Sequence, residues 1–175
     1  MAYVTDFTKT PKLMLIGLIN NDNNFGLVEA DVAFRNLQVE ATPEGKTYNT
    51  SVEVDLLTDE VADDYVKFFY KRVDLVELFS LIDPIFREVD VPLDDVTGLP
   101  VDNAVFVTEL LRKFGIAFNA DDFSWALKAG APGTLILTAA AGNLAYTGEV
   151  EIDIEASLAT RVDNTQLDGF YNPNV

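Results

Sequence analysis

The alternation of hydrophobic and polar positions divides the chain into short elements. Leu13 to Ile19 is its longest uninterrupted apolar stretch. Thr10 is a good N-cap in front of it, and Pro11 sits at the first helical position, where its missing N–H costs nothing. The pattern predicts a helix over Lys12 to about Asn20, ended by the polar run Asn20 to Asn24 and by Gly26. From Asp31 to about Glu40, the residues Val32, Phe34 and Val39 predict a strand with an irregularity near Asn36. Pro43-Glu44-Gly45-Lys46 reads as a turn. Val52, Val54 and Leu56 then alternate with Glu53 and Asp55, the mark of a strand with one wet face. After an acidic turn over Thr58 to Asp64, the aromatic and β-branched stretch Tyr65 to Val73 completes a hairpin.

Leu75 to Ile82 has the length of one or two helical turns. Pro84, Pro92 and Pro100 punctuate an extended connector, with an edge strand expected around Ile85 to Val91. Asp102 caps a helix over Asn103 to Phe114 whose apolar stripe is Val107, Leu110, Leu111 and Phe114. Arg112 and Lys113 suit its C-terminal dipole, and Gly115 is its stop. Strands follow over Phe123 to Leu127 and Thr134 to Ala140, and a Gly142-Asn143 turn leads into Leu144 to Ile154. The class is α+β, mostly antiparallel β strands with two or three short helices.

Helix, loop, strand and hairpin recur in the same order in both halves, which suggests a diverged helix-plus-hairpin repeat; one continuous α+β domain is the alternative. On the repeat, residues 1–82 are a first helix-plus-hairpin unit and 83–102 a Pro-containing connector. Residues 103–158 are the second unit and 159–175 a C-terminal tail or arm.

Composition narrows the function. The 175 residues hold 29 Asp and Glu against 12 Lys and Arg, a net charge of −17 at pH 7, with no His and no Cys. Without those two residues there is no imidazole base, no Ser-His-Asp or Cys-His nucleophile and no ordinary zinc site. A chain this acidic is repelled by phosphates, so no nucleic-acid partner is expected. With 49% hydrophobic residues the chain has enough apolar surface to fold despite its charge. Its longest apolar stretch falls far short of the roughly 20 residues that span a bilayer, so no membrane partner is expected either. Lys9 and Lys12 imitate the start of a signal peptide, but Asn20 to Asn24 stand where a small-residue cleavage site belongs. A soluble chain made without export is the expectation.

Motifs that carry chemistry are few. If Gly26 is the sixth position of a calcium loop, Phe25 falls fifth and Val32 twelfth, where oxygen ligands are required. Asp63-Asp64, Asp94-Asp95 and Asp121-Asp122 read as solvated caps of turns. Gly130 to Gly133 lacks the Lys-Ser/Thr of a phosphate loop and precedes a strand. Trp125 alternates with Phe123 and Leu127, which favours a core or interface role over a sugar platform. Among 29 acids, a pair at the separation of a glycosidase is expected by chance. No catalytic residue, metal or cofactor is expected.

The most informative pattern is Glu149-Val150-Glu151-Ile152-Asp153-Ile154-Glu155. Period-two alternation puts four carboxylates, Glu149, Glu151, Asp153 and Glu155, on one face and three aliphatics on the other. Such a face is either solvated or paired with cations of a neighbouring strand or subunit. The basic cluster is Lys67 with Lys71-Arg72, and Lys67, Phe69 and Lys71 are expected to share a strand face. These two sets are the candidate interface.

Several phrases carry a resemblance. They are Leu15-Ile16-Gly17-Leu18-Ile19-Asn20, Tyr70-Lys71-Arg72-Val73-Asp74-Leu75, Phe114-Gly115-Ile116 leading to Asp121-Asp122-Phe123, the stretch Leu135 to Val150, and Leu167-Asp168-Gly169-Phe170-Tyr171-Asn172-Pro173. In this order they resemble a family of small virion structural proteins of large tailed bacteriophages. That family has Asn where Lys71 stands. The resemblance implies a non-enzymatic particle subunit, in the head decoration, neck or collar, or tail, assembled in the host cytoplasm. Its expected partners are other virion proteins and further copies of itself in a symmetric assembly. The polar tail over residues 161–175, with Leu167, Phe170 and Tyr171 as its sticky residues, then reads as an arm laid on a neighbouring subunit. Two other classes remain beside it: an acidic phage-encoded inhibitor that mimics DNA and occupies a basic host protein, and a sugar-binding module using Trp125 and the tyrosines. Residues 1–100 hold 19 acids and 8 bases, a net of −11, and residues 101–175 hold 10 and 4, a net of −6. The charge is therefore spread over the whole chain, as on a solvated outer surface, and it favours a position facing away from packaged DNA.

Overall fold

Pro11 opens the first helix where the sequence puts it, and α1 runs over Pro11–Asn23. The structure is a computed structural model that describes residues 4–57, 65–80, 82, 88–94, 97–131 and 133–155. The acidic turn at 58–64, the start of the connector at 83–87 with Pro84, and the tail beyond 155 lie outside the described residues. Helix α1 extends three residues past the expected end because asparagines build its last turn. Asn23 donates through Nδ2 to the Ile19 carbonyl at 3.0 Å, and Asn24 takes the left-handed conformation (φ 56°) that Asn tolerates at a C-cap. Asn20 then bonds both the carbonyl and the N–H of Leu27, at 2.8 and 2.9 Å. Thr10 is the N-cap residue, but its side chain makes no capping bond.

Three strands follow, β1 (Val32–Val39), β2 (Thr50–Leu56) and β3 (Tyr65–Tyr70), in an antiparallel sheet of order β1-β2-β3. The irregularity expected near Asn36 is a register shift between Arg35 and Gln38, with Asn36 at φ 51°. Lys46 N–H closes the Pro43 turn on the Pro43 carbonyl at 3.0 Å. Val32, Val52 and Val54 face inward and pack with Leu15, Ile16 and Ile19 of α1 and with Tyr70.

The strand expected through Val73 stops at Tyr70, and the chain then makes β4 (Val73–Asp74) and α2 (Leu75–Ser80). The edge strand expected around 85–91 is β5 (Glu88–Asp90), and α3 (Asn103–Phe114) has the expected bounds. Asp102 Oδ1 accepts from Ala104 N–H at 2.8 Å, and Gly115 ends α3 at φ 68°. The buried stripe of α3 is Phe106, Val107 and Leu110, while Leu111 is exposed, so the helix is turned by one position from the expected phase. The remaining strands are β6 (Phe123–Leu127), β7 (Thr134–Ala139), β8 (Tyr146–Thr147) and β9 (Glu149–Glu155). The second sheet has the order β5-β9-β7-β6, antiparallel except for β5, which runs parallel to β9; a short parallel pair, β4-β8, sits apart.

The fold is α+β with mostly antiparallel strands, three helices and nine strands among the described residues. Each half runs from a helix through a left-handed residue (Asn24, Gly115) into a tight turn and three antiparallel strands. Each turn is closed by an aspartate: Asp31 Oδ2 accepts from Val28 N–H, and Asp122 Oδ2 from Asn119 N–H, both at 2.8 Å. This is the helix-plus-hairpin order read from the sequence.

Two cores result. The smaller lies between α1 and the first sheet; the larger gathers Leu75, Phe79, Phe106, Leu110, Leu135, Leu137, Tyr146 and Ile152. Residues 73–80 thus pack with the second half. Met14 on α1 belongs to the larger core while Leu15, Ile16 and Ile19 belong to the smaller. A helix wedged between two cores needs apolar residues nearly all round, which explains the unbroken Leu13 to Ile19 run.

Arg72 locks the halves together. It is buried, and its Nε donates to Thr50 Oγ1 at 3.0 Å while Nη1 donates to the carbonyls of Asn143 at 3.1 Å and Tyr146 at 3.5 Å. Tyr70 OH donates to the Leu144 carbonyl at 2.7 Å, and Val73 N–H to the Ala145 carbonyl at 2.8 Å. The sequence reading grouped Arg72 with Lys67 and Lys71 as a basic cluster; the structure puts it inside, bonded to neutral oxygens.

Candidate interaction site

The polar faces of the two sheets both point to solvent, and they are layered differently. On the first sheet the cross-strand row Arg35, Glu53, Lys67 is fixed by register, with Asp55 opposite Tyr65 and Ser51 opposite Phe69. Arg35 Nε lies 3.3 Å from Glu53 Oε2, and its Nη2 lies 3.2 Å from Asp55 Oδ1. Asn36 Nδ2 donates to Glu53 Oε2 at 2.6 Å. Lys67 Nζ lies 3.1 Å from Glu40 Oε1, which also accepts from Ser51 Oγ at 2.5 Å. That hydroxyl, and then Lys67, hold the Glu40 carboxyl below its ordinary value.

Aromatic rings complete this face. The Arg35 guanidinium sits 4.7 Å from the Tyr65 ring centre, and the Lys67 ammonium 5.1 Å from that of Phe69. Tyr48 tilts against Phe69 at 5.0 Å. Tyr65 and Phe69 are nonetheless exposed.

On the second sheet the alternation of β9 holds: Val150, Ile152 and Ile154 are buried, and Glu149, Glu151 and Asp153 exposed. Glu155 ends the strand, and its side chain lies outside the described residues. Lys128 Nζ lies 2.7 Å from Glu151 Oε1, and Thr134 Oγ1 donates to Asp153 Oδ1 at 2.8 Å. Among the described residues no cation pairs with Glu149. Beside this row, Val76, Ile136, Glu149, Val150 and Glu151 line a groove of about 350 Å³.

The other candidate interface residues fall into three groups. Lys67 and Phe69 share the first face as expected. Lys71 does not: it stands past the end of β3, exposed, with its Nζ 3.4 Å from Glu77 Oε2. Leu167, Phe170 and Tyr171 lie outside the described residues. Among the described residues the basic and acidic sets do not pair: Lys67 and Lys71 each lie against another acid, and Glu151 against Lys128. The sequence reading missed Arg35, whose place beside Glu53 follows from cross-strand register.

The remaining motifs have structural roles. Trp125 packs 5.2 Å from Phe106 at the edge of the larger core. Asp94 Oδ1 accepts from the N–H and hydroxyl of Thr97, at 2.7 and 2.8 Å, while Asp63, Asp64 and Asp95 lie outside the described residues. Among the described residues no group of three or more Asp or Glu is placed to hold a metal ion, and no helix is long and apolar enough to cross a membrane.

Residues 5–175 match a family of unknown function (DUF7941). The chain belongs to that family. No curated protein and no solved structure matches it. In this DUF7941 member the match covers both sheets and the joint between them, so the two faces are parts of one family unit.

Proposed function

We propose that the chain is a non-enzymatic structural subunit of a bacteriophage particle, an assembly protein on the particle exterior in the head decoration, neck or collar, or tail. One observation carries the reading: the phrases that resemble virion proteins build the joint of the fold. Tyr70 to Leu75 contains Arg72, and Leu135 to Val150 contains its acceptors Asn143 and Tyr146 and the Tyr70 acceptor Leu144. What the chain shares with such proteins is the framework holding two sheets in fixed relation, with polar faces turned outward. Other virion proteins and further copies of the chain are its partners, and the net charge of −17 keeps it away from packaged DNA. The tail over residues 161–175 is an arm on a neighbouring subunit. Its removal then weakens incorporation into particles and leaves the monomer folded.

Quantitative mass spectrometry of purified particles of the bacteriophage that encodes the chain tests the reading. High copy number supports it, and absence from particles overturns it. A second reading has its own support in the exposed row Glu149, Glu151, Asp153. Alternate strand residues stand about 7 Å apart, so the row is a rigid line of negative charge of the kind a DNA-binding protein recognises. That acidic inhibitor is absent from particles and binds a basic host protein in competition with duplex DNA.

A further inference from the structure

The joint between the two halves is hollow on one side. A groove of about 400 Å³ opens there between α1, the end of β3 and the chain at 144–145. The half-buried Leu18, Val73 and Leu144 line it together with the more deeply set Met14, Leu15 and Tyr70. A second hollow of about 50 Å³ shares Leu15, Leu18 and Tyr70 and carries the groove on toward Phe68 and Asn23. The charges at its rim already have partners: Asn21 Nδ2 donates to Asp22 Oδ1 at 2.8 Å, and Lys71 Nζ lies 3.4 Å from Glu77 Oε2. An occupant is therefore selected by apolar burial and not by charge.

We infer that this groove receives the tail of a neighbouring copy, which buries Leu167, Phe170 and Tyr171 in it. The inference rests on the reading of the tail as an arm of an assembly subunit and names the site where that arm lands. The family match runs to residue 175, so the tail and the groove belong to one family unit. Their chemistry is matched: the tail gathers three large apolar side chains within five positions of a mostly polar segment, and the groove offers apolar walls. Their lengths match too. From Met14 to Asn23, α1 walls the groove for about 14 Å at about 1.5 Å per residue. Leu167 to Tyr171 covers about 14 Å at full stretch. Leu167 stands twelve positions beyond Glu155, the last residue of β9, a leash of about 40 Å at full stretch. That leash reaches an adjoining copy; it also reaches back along β9, about 20 Å, toward the chain's own groove, so the test separates the two. Arm and groove are different patches, and each copy gives one and takes one. The contact is heterologous, and repeated it builds a closed ring or an open file of subunits.

The chain has no Cys, so disulfide capture reads the contact directly. Two full-length variants, Leu18→Cys in the groove and Phe170→Cys in the tail, are mixed and oxidised with copper phenanthroline. A cross-linked pair with one chain of each kind is expected. Its yield should exceed at least about tenfold that of Phe170→Cys with Val105→Cys, an exposed position on α3 that lines no part of the groove. Adding Leu167→Asp and Tyr171→Asp to the Phe170→Cys chain should lower the yield at least about tenfold. Circular dichroism melts matching the parent show that each variant folds, and Val73→Cys replaces Leu18→Cys if the helix variant does not. Equal yields at Leu18 and Val105, or a yield that the aspartates leave unchanged, overturn the contact. A single chain carrying both cysteines should link to other copies; closure on itself alone puts the tail in its own groove and overturns the exchange. Copy number in particles is read separately. Abundant incorporation with no cross-link removes the groove contact and keeps the subunit reading. A cross-link between chains absent from particles does the opposite.

Discussion

Arg72 donates from Nη1 to the main-chain carbonyl of Asn143 at 3.1 Å, across 71 positions of the chain. Its Nε reaches Thr50 of the first sheet at the same time, so one guanidinium spans both halves. The fork geometry permits this, because separate N–H groups point in fixed directions at separate oxygens. Arg72→Ala leaves a buried carbonyl without its donor and a void where the side chain stood, and is expected to cost about 3–5 kcal/mol. Arg72→Lys keeps the charge but not the fork and is expected to cost about 2 kcal/mol. Urea unfolding followed by Trp125 fluorescence and by circular dichroism checks both. The two curves should coincide in the parent and separate in Arg72→Ala, since Trp125 reports only on the second half.

Gly148 lies close against the side chain of Asp74. It adopts φ 80°, and a Cβ there would stand 2.9 Å from Asp74 Oδ2, while Asp74 Oδ1 accepts from Val76 N–H at 2.7 Å at the start of α2. Gly148→Ala therefore strains the backbone and displaces a capping carboxylate, with an expected loss of about 2 kcal/mol. With Asp74 already replaced by Ala, the same change should cost about 1 kcal/mol less, because the clash is gone. Thermal unfolding of the four proteins of this cycle measures the difference. Additive losses would show that the two residues do not interact.

Local signals and long-range ones explain what the sequence discloses. The bounds of α3 are legible because Asp102 and Gly115 act on the backbone beside them. The alternation of β9 is legible because its two faces meet different media. The phase of α3 is not, since Phe106 and Leu111 fit an apolar stripe with Val107 and Leu110 equally well. Packing of Phe106 against Trp125 decides it. Arg72 is the clearest case. Beside Lys71 it looks like surface charge, and its acceptors on residues 143 and 146 leave no mark on the residues around it. The candidate site divides the same way: the acidic row is a pattern within one strand, whereas the cation layer needs Arg35 and Lys67 from two strands brought together on either side of β2.

Asp122 gives a pH test of the second turn. Partial burial raises its carboxyl above the ordinary 3.8, against the opposing hydrogen bond from Asn119 N–H. The folded chain therefore binds this proton more tightly than the unfolded chain does. Its contribution to stability is full below pH 3.8 and is lost as pH rises through the raised native value. Asn at this position keeps a side-chain carbonyl for the Asn119 N–H and carries no charge. Asp122→Asn should be at least as stable as the parent near neutral pH, with the difference vanishing in acid. Melts of both proteins across that range check it, and a gap independent of pH would assign the effect to packing.

Two buried tyrosines with unequal acceptors give the last test. Tyr70 OH donates to the Leu144 carbonyl at 2.7 Å, and among the described residues Tyr146 OH meets only the Met14 sulfur, at 3.4 Å. Sulfur is a weak acceptor, so the Tyr146 hydroxyl gains little inside although its ring is fully buried. Tyr70→Phe strands a carbonyl at the joint and should cost about 1–2 kcal/mol, whereas Tyr146→Phe should cost about 0.5 kcal/mol or less. Burial alone would rank them the other way. It pushes both phenols above their ordinary 10, so the folded chain keeps two protons that the unfolded chain gives up. Their contribution is complete below pH 10 and falls as pH rises beyond it. The double Phe variant should therefore lose stability less steeply than the parent in alkali, as denaturant titrations on either side of pH 10 will show.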